Sequence, residues 1–162
     1  MRMLITRFYE YLSFRSAFLR KLAKLYYTPM IKRELKKINI QKEDKILFVG
    51  SGPLPVSALL IQKFTHAKIT LVDYCEKSIN TSKAILKKER VDMEYIKAYA
   101  DEVDLSKYSI IYVAKQVQPK ACIVNHYIHK ISPSTKIVCR KRRQDRCHYY
   151  EESFKASCLI IV

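Results

Sequence analysis

Apolar residues along the chain switch from a helical spacing to short continuous runs and back, and this alternation lays out the elements. From Met3 to Tyr27 they recur at helical spacing (Leu4, Phe8, Leu12, then Phe18, Leu22, Leu25 and Tyr26), with Arg7, Arg15, Arg20, Lys21 and Lys24 interleaved. Pro29 is expected to punctuate this segment, because its nitrogen cannot donate to the preceding turn. A second helical stretch then runs from Met30 to Ile38. Ile46-Leu47-Phe48-Val49 is β-rich and long enough for a buried strand, and a helix begins near Val56 and reaches about Phe64. A second strand is expected over Lys68 to Val72, a helix over Glu76 to Glu89 with Ile79, Ile85 and Leu86 inward, and a third strand over Met93 to Lys97. Ser109 to Val113 is apolar after its first residue, as a central parallel strand buried on both faces would be. Pro119 to Ile131 reads as a helix, Lys136 to Cys139 as a fifth strand, and Cys158 to Val162 as a last one. Strands alternating with helices at this spacing predict an α/β fold with a Rossmann-like, doubly wound, mostly parallel sheet. The expected organisation is a basic helical leader over residues 1–40 and one sheet domain over 41–162.

The junction after the first strand carries the chemistry. The chain has two glycines in 162 residues, Gly50 and Gly52, and both stand between that strand and the helix that follows. Glycine lets the backbone turn with positive φ and leaves room for a ligand to approach. An ordinary strand-to-helix turn is the plainer reading. Asp73, which ends the second strand, follows Gly52 by about twenty residues, the spacing at which a βαβ unit places a ribose-binding acid. A carboxylate there can accept both ribose hydroxyl protons, and Tyr74 beside it could pack against an adenine face. The plainer alternative makes Asp73 a cap for the next helix. In an open α/β sheet the reacting groups gather at the carboxyl ends of the strands. That rule brings Gly50, Asp73, Asp101 and Ala114-Lys115-Gln116 around one crevice.

Charge adds a second theme. Against 15 Asp and Glu stand 31 Lys and Arg, a net charge of +16, which favours anionic partners: nucleic acid, an acidic membrane face or an anionic substrate. Residues 1–45 hold twelve Lys/Arg and four Asp/Glu, and Arg140-Lys141-Arg142-Arg143 with Arg146 forms a second basic cluster that could contact phosphates. Solubility alone is the competing explanation. A hydrophobic content of 49% with 28% charged residues describes a globular chain rather than a disordered one. Five cysteines without a C-x-x-C pair point to reduced thiols and a cytoplasmic setting. Cys139 with Cys147-His148 lacks a second ligand pair, and His126 and His129, one turn apart, have no further partner in sequence, so no metal is expected. No transmembrane segment is expected, and Arg7 and Glu10 interrupt any signal-peptide core. The leader aromatics Phe8, Tyr11, Phe14, Phe18 and Tyr26 exceed what one sheet edge can cover, and a second copy could bury them by a two-fold contact.

The run Gly50-Ser51-Gly52-Pro53-Leu54-Pro55 resembles, residue for residue, the glycine loop of the nicotianamine synthase-like family, within the class I S-adenosylmethionine-dependent methyltransferase superfamily. The likeness extends roughly from Tyr26 to Cys139. It implies S-adenosylmethionine, or S-adenosylhomocysteine as bound product, with Gly50, Ser51, Gly52 and Pro53 at the methionine end. By the same resemblance Asp73 would take the ribose and Asp101 the adenine amino group, while Tyr74 and Ala114 stand as cofactor-binding candidates from their places at the strand ends. Phe48 stands where an acidic residue is usual in methyltransferases, and Leu54 where a third glycine is frequent. The implied activity is methyl transfer to a small or anionic acceptor. Alternatives are transfer of the aminocarboxypropyl arm, as nicotianamine synthase-like enzymes perform, an RNA-directed methyltransferase, or a non-catalytic cofactor-binding protein. Displacement at a sulfonium needs alignment more than a strong base, and no dedicated base stands out. The Asn/Asp-Pro-Pro-Tyr/Phe signature of amino-group methylation is replaced after strand four by Lys115-Gln116-Val117-Gln118. Candidate catalytic residues are Lys115 and Gln116, with Tyr27 and Glu34 of the leader as parts of an enclosing wall.

Overall fold

The computed structural model describes residues 16–140 and 159–162. Its first element, helix α1 (Ala17–Ile38), opens on Ser16, whose hydroxyl accepts the Leu19 amide. It ends where Asn39 turns left-handed at φ 53° and donates its N–H to the Leu35 carbonyl. The break expected at Pro29 does not occur, and one helix runs through it. Thr28 donates its hydroxyl to the Lys24 carbonyl on the turn just before the proline. Beyond the proline, Ile31 and Ile38 are fully buried, each worth about 1.5–3 kcal/mol against exposure. Packing of the second half against the core thus outweighs the local preference.

Strand β1 (Lys45–Val49) leads through the glycine loop to α2 (Val56–Thr65), then β2 (Lys68–Asp73), α3 (Glu76–Glu89) and β3 (Glu94–Lys97). A 3-10 turn at Ala100–Glu102 precedes β4 (Ile110–Val113), α4 (Lys120–Ile128), β5 (Lys136–Cys139) and β6 (Leu159–Ile161). The strands form one sheet in the order β3-β2-β1-β4-β5-β6, and every pairing is parallel. The chain is therefore an α/β protein of Rossmann-like topology, as its periodicity predicts. β4 lies between β1 and β5 with all four residues buried, the central position its composition predicts.

Alternation along the strands divides the core in two. Ile46, Phe48, Leu71, Ile110, Tyr112 and Val138 face the side on which α1 and α2 pack. Leu47, Val49, Val72, Ile111, Val113 and Ile137 face the side covered by α4 through Val124 and Tyr127. The leader helix thus shares its core with the sheet. Salt links add to this: Arg20 Nε lies 3.2 Å from Glu89 Oε1, and the Lys24 ammonium bonds the other Glu89 oxygen. Residues 1–15, including Phe8, Tyr11 and Phe14, and residues 141–158, including Arg142, Arg143 and Cys147, lie outside the described residues. Among the described residues no helix is long and apolar enough to cross a membrane.

Candidate functional site

Parallel strands deliver the ends of β1 to β5 to one rim, where Gly50, Gly52, Asp73 and Ala114 follow or end their strands and Asp101 stands on the turn after β3. Gly50 and Gly52 both adopt positive φ, 78° and 64°. The Gly50 and Ser51 amides donate to the Val72 carbonyl at 2.9 and 3.2 Å, which ties the loop to the end of β2. The two glycines serve different needs. A methyl group on Gly50 would meet Val117 Cγ2 at 2.3 Å, so this glycine makes room for the loop after β4. A methyl group on Gly52 would meet nothing within 4 Å, so this glycine borders open space. Pro53 is half-buried and follows directly. The Ser51 hydroxyl is buried and has no hydrogen-bond partner among the described residues. A buried hydroxyl without a partner is uncommon in a folded chain, and it marks this loop as a place where a polar group of a ligand could be matched.

Asp73 is the bridge. Its Oδ2 accepts the Gly52 amide at 2.8 Å and its Oδ1 accepts the Cys75 amide at 2.9 Å. The carboxylate therefore joins the glycine loop to the start of α3, and each oxygen keeps further acceptor capacity. Asp73 thus closes a local turn ahead of α3, where Cys75 and not Asp73 is the N-cap. The Cys75 thiol is drawn below its ordinary range, chiefly by a hydrogen bond with the Ser78 hydroxyl. Tyr74 is exposed, but its ring stacks on Tyr99, with centroids 5.6 Å apart and planes 10° from parallel. A planar ligand in the crevice would have this aromatic pair at its edge.

Asp101 is exposed on the 3-10 turn after β3, which α4 holds from below. Tyr127 donates its hydroxyl to the Ala100 carbonyl at 2.6 Å, and His126 Nε2 lies 3.2 Å from the Asp101 carbonyl. Burial pushes the Tyr127 hydroxyl well above the usual tyrosine range, and the charge of Asp101 adds to it, so Tyr127 stays a donor. His126 is thereby engaged by backbone, and among the described residues no group of three or more potential metal ligands gathers. Ala114 is buried at the end of β4, its amide bonded to the Val49 carbonyl. Lys115 and Gln116 are exposed in the loop beyond, and the Lys115 carbonyl accepts the buried Lys120 ammonium.

Glu34 and Tyr27 part company. Tyr27 packs against the first core face with its ring edge-on to Tyr26. Glu34 is buried, and its carboxylate takes Arg140 in a two-pronged pair, Nε to Oε1 at 2.9 Å and Nη2 to Oε2 at 2.8 Å. The Tyr112 hydroxyl also donates to Glu34, and Arg140 Nη1 donates to Ser57 at 2.8 Å. The guanidinium carbon sits 5.2 Å from the Tyr112 ring centre, and that ring stacks on Phe48 at 4.9 Å. Burial pushes the Tyr112 hydroxyl well up. Burial alone would lower Arg140, but the hydrogen bonds and charges of Glu34 and Tyr112 together outweigh it and hold it up. Phe48, in the position where an acid is usual in the resembling superfamily, is thus a wall of this cluster. The expectation that Arg140 belongs to a solvent-facing phosphate patch is corrected: it is buried at the end of β5 and committed to Glu34. Its partner lies 106 residues away, so the adjacent run of basic residues gave the wrong signal.

Comparison with known proteins bears on the family and the fold. Residues 14–154 match the family described as nicotianamine synthase protein. An L-histidine 2-aminobutanoyltransferase from Pseudomonas aeruginosa is 25% identical over 113 residues, covering 68% of this chain and 43% of its own. The crystal structure of a glutamate-to-glutamine variant of MtNAS in complex with S-adenosylmethionine superposes with a TM-score of 0.71 at 18% identity, covering 83% of this chain and 55% of that one. An RNA methyltransferase from Salinibacter ruber, solved with S-adenosyl-L-homocysteine, gives a TM-score of 0.60 at 15% identity, over 67% and 72% of the two chains. At such identities the two structures share the fold alone. The chain spans about half the length of the relatives it matches first.

Proposed function

Because this chain belongs to the nicotianamine synthase family, we propose that it binds S-adenosylmethionine across its strand ends and transfers the aminocarboxypropyl arm to an amine. The observation that carries the reading is the loop Gly50–Pro55, whose Gly52 borders open space next to the Asp73 carboxylate. The residues present fit the cofactor. Ser51 offers an unmatched buried hydroxyl, Asp73 offers acceptor capacity to ribose hydroxyls, and Tyr74 with Tyr99 offers an aromatic edge to the adenine. Asp101, held in place through Ala100 by Tyr127, takes the adenine amino group in this reading. When bound, the cofactor would supply a sulfonium whose adjacent methylene carbon an amine can attack, with the carbon–sulfur bond breaking and methylthioadenosine leaving as a neutral thioether.

The chain's own part is positioning. Gly50 keeps the loop after β4 close, with Ala114 and Val117 against it. Glu34, locked by Arg140 and Tyr112, ties α1 to β4 and to the residue that follows β5. This places Glu34 as an anchor of the wall, its carboxylate already matched by a guanidinium. Arm transfer is preferred to methyl transfer because both the matching family and the curated relative carry names of that chemistry. Incubation with S-adenosylmethionine and an amino acid acceptor such as histidine should release methylthioadenosine, read by mass spectrometry. S-adenosylhomocysteine instead would redirect the assignment to methyl transfer. Asp73→Ala should lose two charge-assisted ribose bonds, about 1.5–3 kcal/mol each at most. Unchanged cofactor affinity in that variant, measured by calorimetry, would reject the ribose assignment.

A further inference from the structure

Helix α1 has a second face that the crevice does not use. Its inward side buries Ile31, Glu34 and Ile38. Its outward side presents Phe18, Leu22, Leu25 and Tyr26, which are 69%, 49%, 66% and 78% exposed. Their spacing, with Pro29 one turn on, aligns them in a single stripe along the first half of the helix. Over the second half the same outward line changes character to Lys32, Arg33, Lys36 and Lys37, all exposed. Lys32 Nζ lies 5.4 Å from the centre of the half-exposed Phe64 ring at the end of α2, beside the exposed Lys63. A contiguous apolar stripe of this kind is a partner site rather than scattered surface.

Charge and shape identify the partner. The stripe continues into a cluster of cations on a chain of net charge +16, so the occupant must be anionic. A second copy would bring the same cations together across the contact. Along one exposed line of a single helix the apolar side chains Phe18, Leu22, Leu25 and Tyr26 stand next to four cations, the pairing that a headgroup boundary accommodates. We propose that this face of α1 docks the protein onto an anionic lipid surface. Phe18, Leu22, Leu25 and Tyr26 enter the boundary between headgroups and acyl chains, and Lys32, Arg33, Lys36 and Lys37 meet lipid phosphates. The proposal is independent of the crevice chemistry.

Co-sedimentation of the full chain with vesicles tests it. Binding is expected to phosphatidylcholine vesicles containing phosphatidylglycerol and not to phosphatidylcholine alone, and it should weaken as salt rises. Leu22→Ser/Leu25→Ser and Lys32→Gln/Arg33→Gln/Lys36→Gln should each lower vesicle partition by about tenfold or more. Their thermal midpoints should hold, since these side chains are exposed. Lys42→Gln/Lys87→Gln/Lys130→Gln removes as much charge elsewhere and should leave partition within about twofold. Absence of binding to the anionic vesicles, or an equal loss in this control, overturns the proposal. So does light scattering that shows a dimer dissolved by Leu22→Ser/Leu25→Ser with vesicle binding intact, which assigns the stripe to a second copy. Preferential binding of an RNA oligonucleotide, lost in the same lysine variants, also overturns it.

Discussion

The two glycines make the sharpest test of the crevice, because one alanine substitution at each should fail in a different way. Both positions have positive φ, so alanine costs about 1–2 kcal/mol of backbone strain at either. At Gly50 the new methyl would also sit 2.3 Å from Val117 Cγ2, and relieving that overlap adds about 1–3 kcal/mol. At Gly52 no heavy atom lies within 4 Å, so strain is the whole cost. Gly50→Ala is therefore expected to lose about 2–5 kcal/mol and Gly52→Ala about 1–2. In a chain of this size each kcal/mol shifts the melting midpoint by about 2–4 °C, so thermal unfolding resolves the two. Adding Val117→Ala to Gly50→Ala removes the overlapping atom, and the double-mutant cycle should return about 1–3 kcal/mol of favourable coupling. Cofactor affinity should reverse the ranking of Gly52→Ala. Its methyl occupies space assigned to S-adenosylmethionine, so calorimetry below the melting range should show binding weaker by about tenfold or more, about 1.4 kcal/mol. Equal destabilisation by the two alanines would refute the Val117 contact. Full affinity in Gly52→Ala would refute the placing of the cofactor.

Two further outcomes follow from charges beneath the rim. Arg140→Met strands the Glu34 carboxylate, 7% exposed, without its partner, and should cost about 3–5 kcal/mol in denaturant unfolding. Adding Glu34→Gln should recover part of that loss, which a merely steric defect at Arg140 would not permit. Glu89 supplies the pH dependence. Partial burial raises its pKa, but the hydrogen bonds and charges of Lys24 and Arg20 together outweigh that and hold it below the ordinary 4.5. A depressed folded value means stability that is present above 4.5 and lost as pH falls through the folded value. The gap in melting midpoint between the native chain and Glu89→Gln should therefore be full near neutrality and close in acid, and a gap independent of pH would reject the salt link.

What could be read from the residues alone, and what could not, divides along one physical line. Strands, their order of burial and the turn at Gly50–Gly52 follow from apolar runs and from where a glycine-poor chain placed its two glycines. Those features are local, and so is the end of β2 at Asp73. The misreadings are all about partners distant in sequence. Pro29 carries the local signal of a helix end, yet Ile31 and Ile38 hold the helix straight from a core built by other elements. Tyr74 is joined by Tyr99 from across β3, a pairing that no local pattern announces. Arg140 reads as the first member of a basic run, but as the first residue past β5 it meets Glu34 on α1. Val117, anonymous in sequence, decides why position 50 is glycine. Each of these meetings except the first lies at the carboxyl end of a strand. Periodicity tells which face of an element a residue takes, whereas strand order decides which loops converge at the rim. In a parallel sheet that order joins β1 to β4 and β4 to β5 across long crossovers. The rim is thus where ligands gather and where local pattern carries least information, for the same topological reason.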